Sequence, residues 1–152
     1  MEQTTTIPAL TQAVYDRLAA SADERLTGVQ LILGQPPNGH LEDDLIVVGW
    51  SPDRAITSTQ TRQSLGAKRD REDYQLPLLV GSQSGDDSPQ AVLARCGELV
   101  EAVHTEIASD RTFGGLVLHT GISQVSMDPV QTATGPSCTA EVVLQVAAVT
   151  RK

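Results

Sequence analysis

Two glycine-spaced loops have the outline of a nucleotide-binding or catalytic motif, and each lacks the residue that would do the chemistry. Gly34 and Gly39 have the spacing of a phosphate-binding loop, but His40-Leu41 follows where that motif needs Lys and then Ser or Thr. Without the lysine and the magnesium-binding hydroxyl, we do not expect a nucleotide here. Residues 81–85 have the glycine spacing of a nucleophile elbow with Gln83 in place of the serine, which predicts only a flexible loop.

A helical Glu-x-x-His motif is the nearest approach to a metal site. Glu98, Glu101 and His104 follow one another at three-residue steps. Carboxylate-bridged metal sites use this spacing, but they need a second such motif within a four-helix bundle. The chain has no second copy, and no ligand pattern links His104 to His40 or His119. We therefore interpret this helix face as solvated and expect neither a metal nor a cofactor.

The sequence also shows no complete set of residues for nucleophilic catalysis. Cys96 and Cys138 match no C-x-x-C spacing, so we predict free buried thiols. A disulfide would need an oxidising compartment, which nothing else in the sequence indicates. Serine, histidine and aspartate are present, but sequence spacing does not show that any three converge, so no triad is assigned. The absence of a complete catalytic motif favours a protein that is not an enzyme.

Basic residues are concentrated in one predicted loop region of the chain. Five of the eleven are gathered there: Arg54, Arg62, Lys68, Arg69 and Arg71. One interpretation is a solvated loop balanced by the acidic residues among them. The other is a docking patch for an acidic partner or a neighbouring copy, and its candidate contact residues are Arg62, Lys68, Arg69 and Arg71.

Composition narrows the functional classes further. The chain has 152 residues, of which 39% are hydrophobic and 20% charged, and this predicts one globular domain over residues 1–152. The net charge of −8 argues against binding duplex DNA through a broad cationic face. Only 3% of the residues are aromatic, so stacking platforms for single-stranded nucleic acid are scarce. The first ten residues do not resemble a secretory signal and no apolar run could span a bilayer, so we expect no membrane partner.

Hydrophobic periodicity predicts two helices that would position these residues. The first begins at Ile7-Pro8, with Pro at a first helical position, and ends near Ser21. Ser88-Pro89 predicts the start of a longer helix. Its apolar stripe is made of Val92, Leu93, Cys96, Leu99, Val100, Val103 and Ile107.

Strand patterns occupy most of the remaining chain. They cover residues 29–33, 45–50, 74–80, 116–127 and 140–148, with a Thr-rich sixth candidate within 56–64. The continuous apolar run 45–50 predicts a central strand. Pro77 cannot donate to a ladder, so strand 74–80 is predicted at an edge or with a bulge.

The connections complete the predicted architecture. We expect a charged turn at residues 66–71, a bulge near Gly121 and a loop at residues 128–137. Consecutive strands with short links favour antiparallel pairing. The predicted class is therefore α+β, a mainly antiparallel twisted sheet with two helices packed on one face.

Three segments in this order resemble a known family. They are the run REDYQLPL at 71–78 leading into a strand, a long helix of the form Ala91-x-x-Ala94-Arg95-x-x-x-Leu99-Val100-x-x-Val103, and DRTFGG at 110–115 before a final hairpin. With the short N-terminal helix, this layout resembles the tail terminator (tail completion) proteins of long-tailed bacteriophages over nearly the whole chain.

The resemblance implies a non-enzymatic structural protein. Such a protein forms a hexameric ring of identical copies on the finished tail tube, stops its polymerisation and presents a surface for the head. The implied partners are the tail tube protein and a head–tail connector protein, with DNA passing through the lumen without specific binding. The implied location is the neck end of the virion tail, after assembly in the host cytoplasm.

Two alternatives stay open at this point. One is another head–tail connector or neck component of the virion, which only its partner would distinguish. The other is a small ligand-binding or enzymatic α+β domain. It would have convergent polar side chains in a pocket and a titratable group with a perturbed pKa.

Overall fold

The computed structural model describes residues 4–37, 42–62, 69–85 and 88–151. Two helices and six strands follow in the order α1 (Ile7–Ala19), β1 (Gln30–Leu33), β2 (Asp44–Val48), β3 (Thr59–Arg62), β4 (Arg69–Gln83), α2 (Pro89–Ser109), β5 (His119–Thr132) and β6 (Gly135–Arg151). A short 3-10 turn, Glu24–Leu26, lies between α1 and β1. The α+β class is confirmed.

The strands form one sheet in the order β1-β2-β4-β6-β5, and β3 pairs with the first part of β4. Every pairing is antiparallel except β1 with β2. One continuous core contains residues of both helices and alternate residues of β4 and β6, so both helices pack on the same face of the sheet. We call this the inner face and the opposite side the outer face.

Strand β4 is central, so the predicted edge position for residues 74–80 is wrong. It pairs with β6 along its whole length and with β2 and β3 on its other side. The Pro77 carbonyl accepts from the Gly49 N–H, just past the end of β2, at 2.9 Å. The proline nitrogen is on the same side of β4 as this carbonyl. Pro77 is tolerated because β2 has ended there and needs no N–H donor from it. Strand β2, predicted central, lies between β1 and β4.

Two predicted connections are strand instead. Residues 69–71 begin β4 rather than ending a charged turn, and residues 66–68 lie outside the described part of the chain. Residues 128–137, predicted as a loop, belong to a long hairpin in which β5 runs to Thr132 and β6 starts at Gly135. The predicted bulge near Gly121 is confirmed two residues further on, at Ser123, where the register shifts between Ile122 and Gln124.

Both helices begin as predicted and are tied together at the end of α2. The Ser88 side chain accepts from the Ala91 N–H at 3.2 Å and caps α2. After this helix, Asp110 accepts from the Gly114 N–H at 2.8 Å, and the Arg17 guanidinium of α1 lies 3.9 Å from the centre of the Phe113 ring. The DRTFGG segment therefore closes α2 and locks it to α1.

Candidate functional site

The predicted basic patch is placed on the corner where β3 pairs with β4. Arg62 ends β3, while Arg69 and Arg71 are the first and third residues of β4, and all three are exposed. Arg71 forms an ion pair with Asp73 at 3.1 Å, whereas no ion pair of Arg62 or Arg69 is found within the described chain. Lys68 lies outside the described residues. The corner therefore exposes three arginines, and Asp70, Glu72 and Asp73 lie beside them on β4.

The longest open edge of the sheet is strand β5. This strand has 14 residues, pairs only with β6 within the described part of the chain, and is exposed from Ser123 to Thr132. Asp128 is the only Lys, Arg, Asp or Glu in it. Natural edge strands usually carry charges, above all lysine, that prevent pairing with another chain. An edge of this length with a single charge is a surface suited to pairing.

Apolar side chains are exposed along the same strand. Val125 is 43% exposed, Met127 38% and Val130 45%. Val125 and Met127 pair with Val142 and Ala140 of β6, which are fully buried, so the apolar row of the inner face continues outwards onto β5 without a cover. Exposed apolar rows of this kind mark interaction sites.

The segment between β2 and β3, residues 51–58, crosses the outer face of the sheet. Ser51 donates to the Glu141 carboxylate on β6, and the Arg54 guanidinium lies 3.1 Å from the same carboxylate. Arg54 also donates to Gln75 of β4 at 2.9 Å. Val143 lies on this face next to Glu141 and is fully buried. The segment therefore acts as a strap that covers part of the outer face.

Shallow polar clefts flank the strap. One of about 410 Å³ contains Asp73, Gln75 and Gln145, and one of about 490 Å³ contains Leu79, Asp128 and Glu141. Arg54 borders both, and its guanidinium is already bound to Glu141 and Gln75.

The most enclosed charge is a carboxylate of the inner face, Glu72 of β4. It is fully buried and accepts five hydrogen bonds from four residues: Thr5, Thr6, Ser58 and Gln60. Burial by itself raises the pKa of Glu72, but these hydrogen bonds outweigh it and the pKa lies below its ordinary value. Because its lone pairs are occupied, this carboxylate holds the fold together rather than facing a ligand.

The predicted free thiols are confirmed and are inert. Cys96 on α2 and Cys138 on β6 are both fully buried and unpaired as a disulfide. Burial, and a hydrogen bond with Cys138, raise the pKa of Cys96 to about 12. The thiolate that reacts as a nucleophile is therefore negligible at neutral pH.

The Glu98, Glu101 and His104 side chains are exposed on α2. Within the described ranges, no three His, Cys, Asp or Glu side chains gather as metal ligands would. None of the described helices is long and apolar enough to cross a membrane.

Sequence reasoning missed the open β5 edge and the Glu72 cluster. The edge had a signal, since residues 120–140 contain a single charged residue. The Glu72 cluster had no such signal in the sequence, because the residues that donate to Glu72 lie 12 to 67 positions away from it in the chain.

The fold is shared with a virion protein. No family model matches the sequence, and no curated protein matches it. The structure is similar to a chain in the solved structure of the virion of a native gene transfer agent (GTA) particle, with a TM-score of 0.62 and 13% identity. The alignment covers 97% of this chain and 99% of that chain, so the whole architecture corresponds and not merely a shared helix-on-sheet core.

Proposed function

We propose that this chain is a structural protein of a phage-like virion and that it closes the tail tube as a tail terminator. The observation that carries the proposal is the likeness of fold, over 97% of the chain, to a chain of a gene transfer agent virion. The resemblance of residues 71–78, 91–103 and 110–115 to tail terminators supports the finer assignment.

In this role the protein forms a ring of six copies at the neck end of the tail. The ring sits on the last layer of tail tube protein, stops further polymerisation and offers its other side to the head–tail connector. A net charge of −8 suits a ring whose lumen passes DNA without holding its phosphates.

Two features favour assembly over catalysis. Strand β5 is an edge of 14 residues with one charge and exposed Val125, Met127 and Val130, which fits a protein–protein contact. The groups with the pKa values raised furthest, Tyr74 and Cys96, are both buried in the core. An enzyme would place such groups in a cleft.

The test is light-scattering mass after size exclusion, across protein concentration and salt, followed by capture on the cognate tail tube protein. A ring of six chains of 16.1 kDa weighs about 97 kDa. We expect that mass alone or on addition of tube protein, and rings by electron microscopy. A chain that remains at 16.1 kDa in both conditions contradicts the proposal. A ring that binds the portal-side connector and not the tube contradicts the terminator role and indicates another neck component.

A further inference from the structure

The open edge of strand β5 is bordered by one flank of helix α2. Arg95 of α2 donates to Asp44 at 2.9 Å and Glu106 accepts from Ser21 at 2.5 Å, so both lie on the flank away from β5. At 3.6 residues per turn, the opposite flank, towards β5, carries Leu93, Gly97, Val100 and His104.

Gly97 is unexplained by contacts within the chain. A Cβ built on it would meet nothing within 4 Å. Glycine inside a helix costs about 1 kcal/mol relative to alanine. Cys96, which precedes Gly97, and Cys138, near the start of β6, both lie in the buried core between α2 and the sheet, and Cys138 pairs with Pro129 of β5. The open space at Gly97 therefore lies on the flank of α2 that faces the β5 side of the sheet.

We call the surface between the open β5 edge and this flank of α2 the β5–α2 groove; the residues that border it are Leu93, Gly97, Val100, Val125 and Met127. A strand added to the β5 edge would complete the sheet ladder, and its inner-face side would lie towards the flank of α2 that carries Gly97. The β5 edge has a carboxylate on each side of the sheet, since Asp128 lies on the outer face of β5 and Glu101, next to Gly97, lies on the exposed side of α2. The groove therefore favours a short, cationic edge strand.

Strand β3 has these properties. All four of its residues, Thr59–Arg62, are exposed, and its second edge has no strand partner within the described chain. Arg62 belongs to β3, and Arg69 and Arg71 lie on the adjoining part of β4. The other open edges lack this charge: β1 (Gln30–Leu33) has no charged residue, and two β5 strands would bring the Asp128 and Glu101 carboxylates of both copies together.

We propose that the β5–α2 groove accepts the β3 edge of a second copy of this chain, so that one sheet continues from subunit to subunit. The contact is head-to-tail, because two different edges meet, and a head-to-tail contact generates a closed ring when its rotation closes. This inference rests on the proposed ring and names the two surfaces that build it.

Engineered cysteines test the contact in the full-length chain. Thr61 on β3 and Gln124, Ser126, Asp128 and Val130 on β5 share the outer face through their pairing with β4 and β6. Thr61→Cys is combined with a cysteine at each of the four β5 positions in turn, and an added mild oxidant, diamide, closes disulfides. Each single variant is the control, and the buried native thiols supply no background.

A ladder of covalent oligomers in at least one double variant, with none in the singles, is the expected result. Assembly at ring mass without that ladder overturns the β3 contact while leaving the ring in place. Covalent dimers from a single β5 cysteine overturn it in favour of β5 self-pairing. A protein that is monomeric alone and with tube protein overturns both the contact and the proposed ring.

A second variant pair tests the space beside Gly97. Gly97→Gln fills the groove, and we expect association weakened roughly tenfold or more with an unchanged monomer fold by circular dichroism. Ala91→Gln adds the same side chain at an exposed position on another side of α2 and should leave association unchanged. Equal association constants for the two variants contradict the proposal.

Discussion

The Glu72 carboxylate on β4 accepts the backbone N–H of Thr6, the residue before α1, at 2.8 Å. The Thr6 side chain itself does not cap this helix. The first N–H groups are satisfied instead by the Thr5 hydroxyl, which accepts from the Ile7 N–H at 3.2 Å, and by Glu72, 66 positions away in the sequence from Thr6. The same carboxylate accepts from Ser58 and Gln60, at the end of the strap and in β3. One buried charge therefore joins α1, the strap and the β3 edge to the central strand.

The first prediction concerns the stability that this carboxylate supplies. One carboxylate oxygen of Glu72 accepts from the Thr6 N–H and the other accepts from the Gln60 amide. In Glu72→Gln one of these oxygens becomes an NH₂ group, so one donor would face another donor. We expect a loss of about 1–3 kcal/mol in the free energy of unfolding. Urea unfolding followed by circular dichroism measures it. Glu24→Gln, an exposed carboxylate, is the control, and an equal effect of the two substitutions would argue against the Glu72 cluster.

Acid should remove the advantage of wild type over Glu72→Gln. The pKa of Glu72 in the folded protein lies below the unfolded value of about 4.5, so its contribution is fully present above that pH. The contribution is lost as the pH falls through the lower, folded pKa. Unfolding free energies of both proteins between pH 7 and pH 2 should therefore converge below about pH 4.5. A difference that widens on acidification would mean that burial, and not hydrogen bonding, controls this carboxylate.

Thiol labelling should report global unfolding. Cys96 and Cys138 are fully buried, and the pKa of Cys96 is raised to about 12. We expect no alkylation by iodoacetamide at pH 8 in the native protein and two labels per chain in urea, counted by mass spectrometry. Rapid labelling without denaturant would show that the contact between α2 and β6 opens in the native state.

Charge reversal tests the corner formed by β3 and β4. Arg69→Glu with Arg71→Glu should weaken association while the monomer stays folded, because the cationic corner would meet an acidic neighbour. Light-scattering mass at low and high salt measures the effect, and the loss should be largest at low salt. Arg25→Glu in the 3-10 turn makes the same kind of charge change away from this corner. Unchanged assembly of the double variant at low salt would exclude the corner from the subunit contact.

Hydrophobic patterning in the sequence is sufficient to predict the helices and the buried parts of the strands. The α2 stripe and the alternation in residues 140–148 are confirmed because their side chains pack against one core. Patterning fails where strands leave that core, as at Arg69 and in residues 128–137, since polar residues in a ladder carry no hydrophobic period.

Position in the sheet depends on contacts that no local pattern records. Pro77 indicates an edge if only its own strand is considered, and the structure reconciles it with a central strand by ending β2 opposite it. The groove beside Gly97 likewise depends on the order of the strands. Only the absence of charge in residues 120–127 was visible as a signal for it.

Two glycines should respond to alanine with opposite signs. Gly135 opens β6 at a φ of +125°, which side chains rarely adopt, and an added Cβ would overlap the Ser84 carbonyl. Gly135→Ala should therefore lower the free energy of unfolding by about 1–3 kcal/mol. Gly97→Ala, in a regular helix with open space, should raise it by up to about 1 kcal/mol. Urea unfolding of both monomers measures the two changes, and a destabilising Gly97→Ala would mean that this glycine is needed within the chain rather than for its partner.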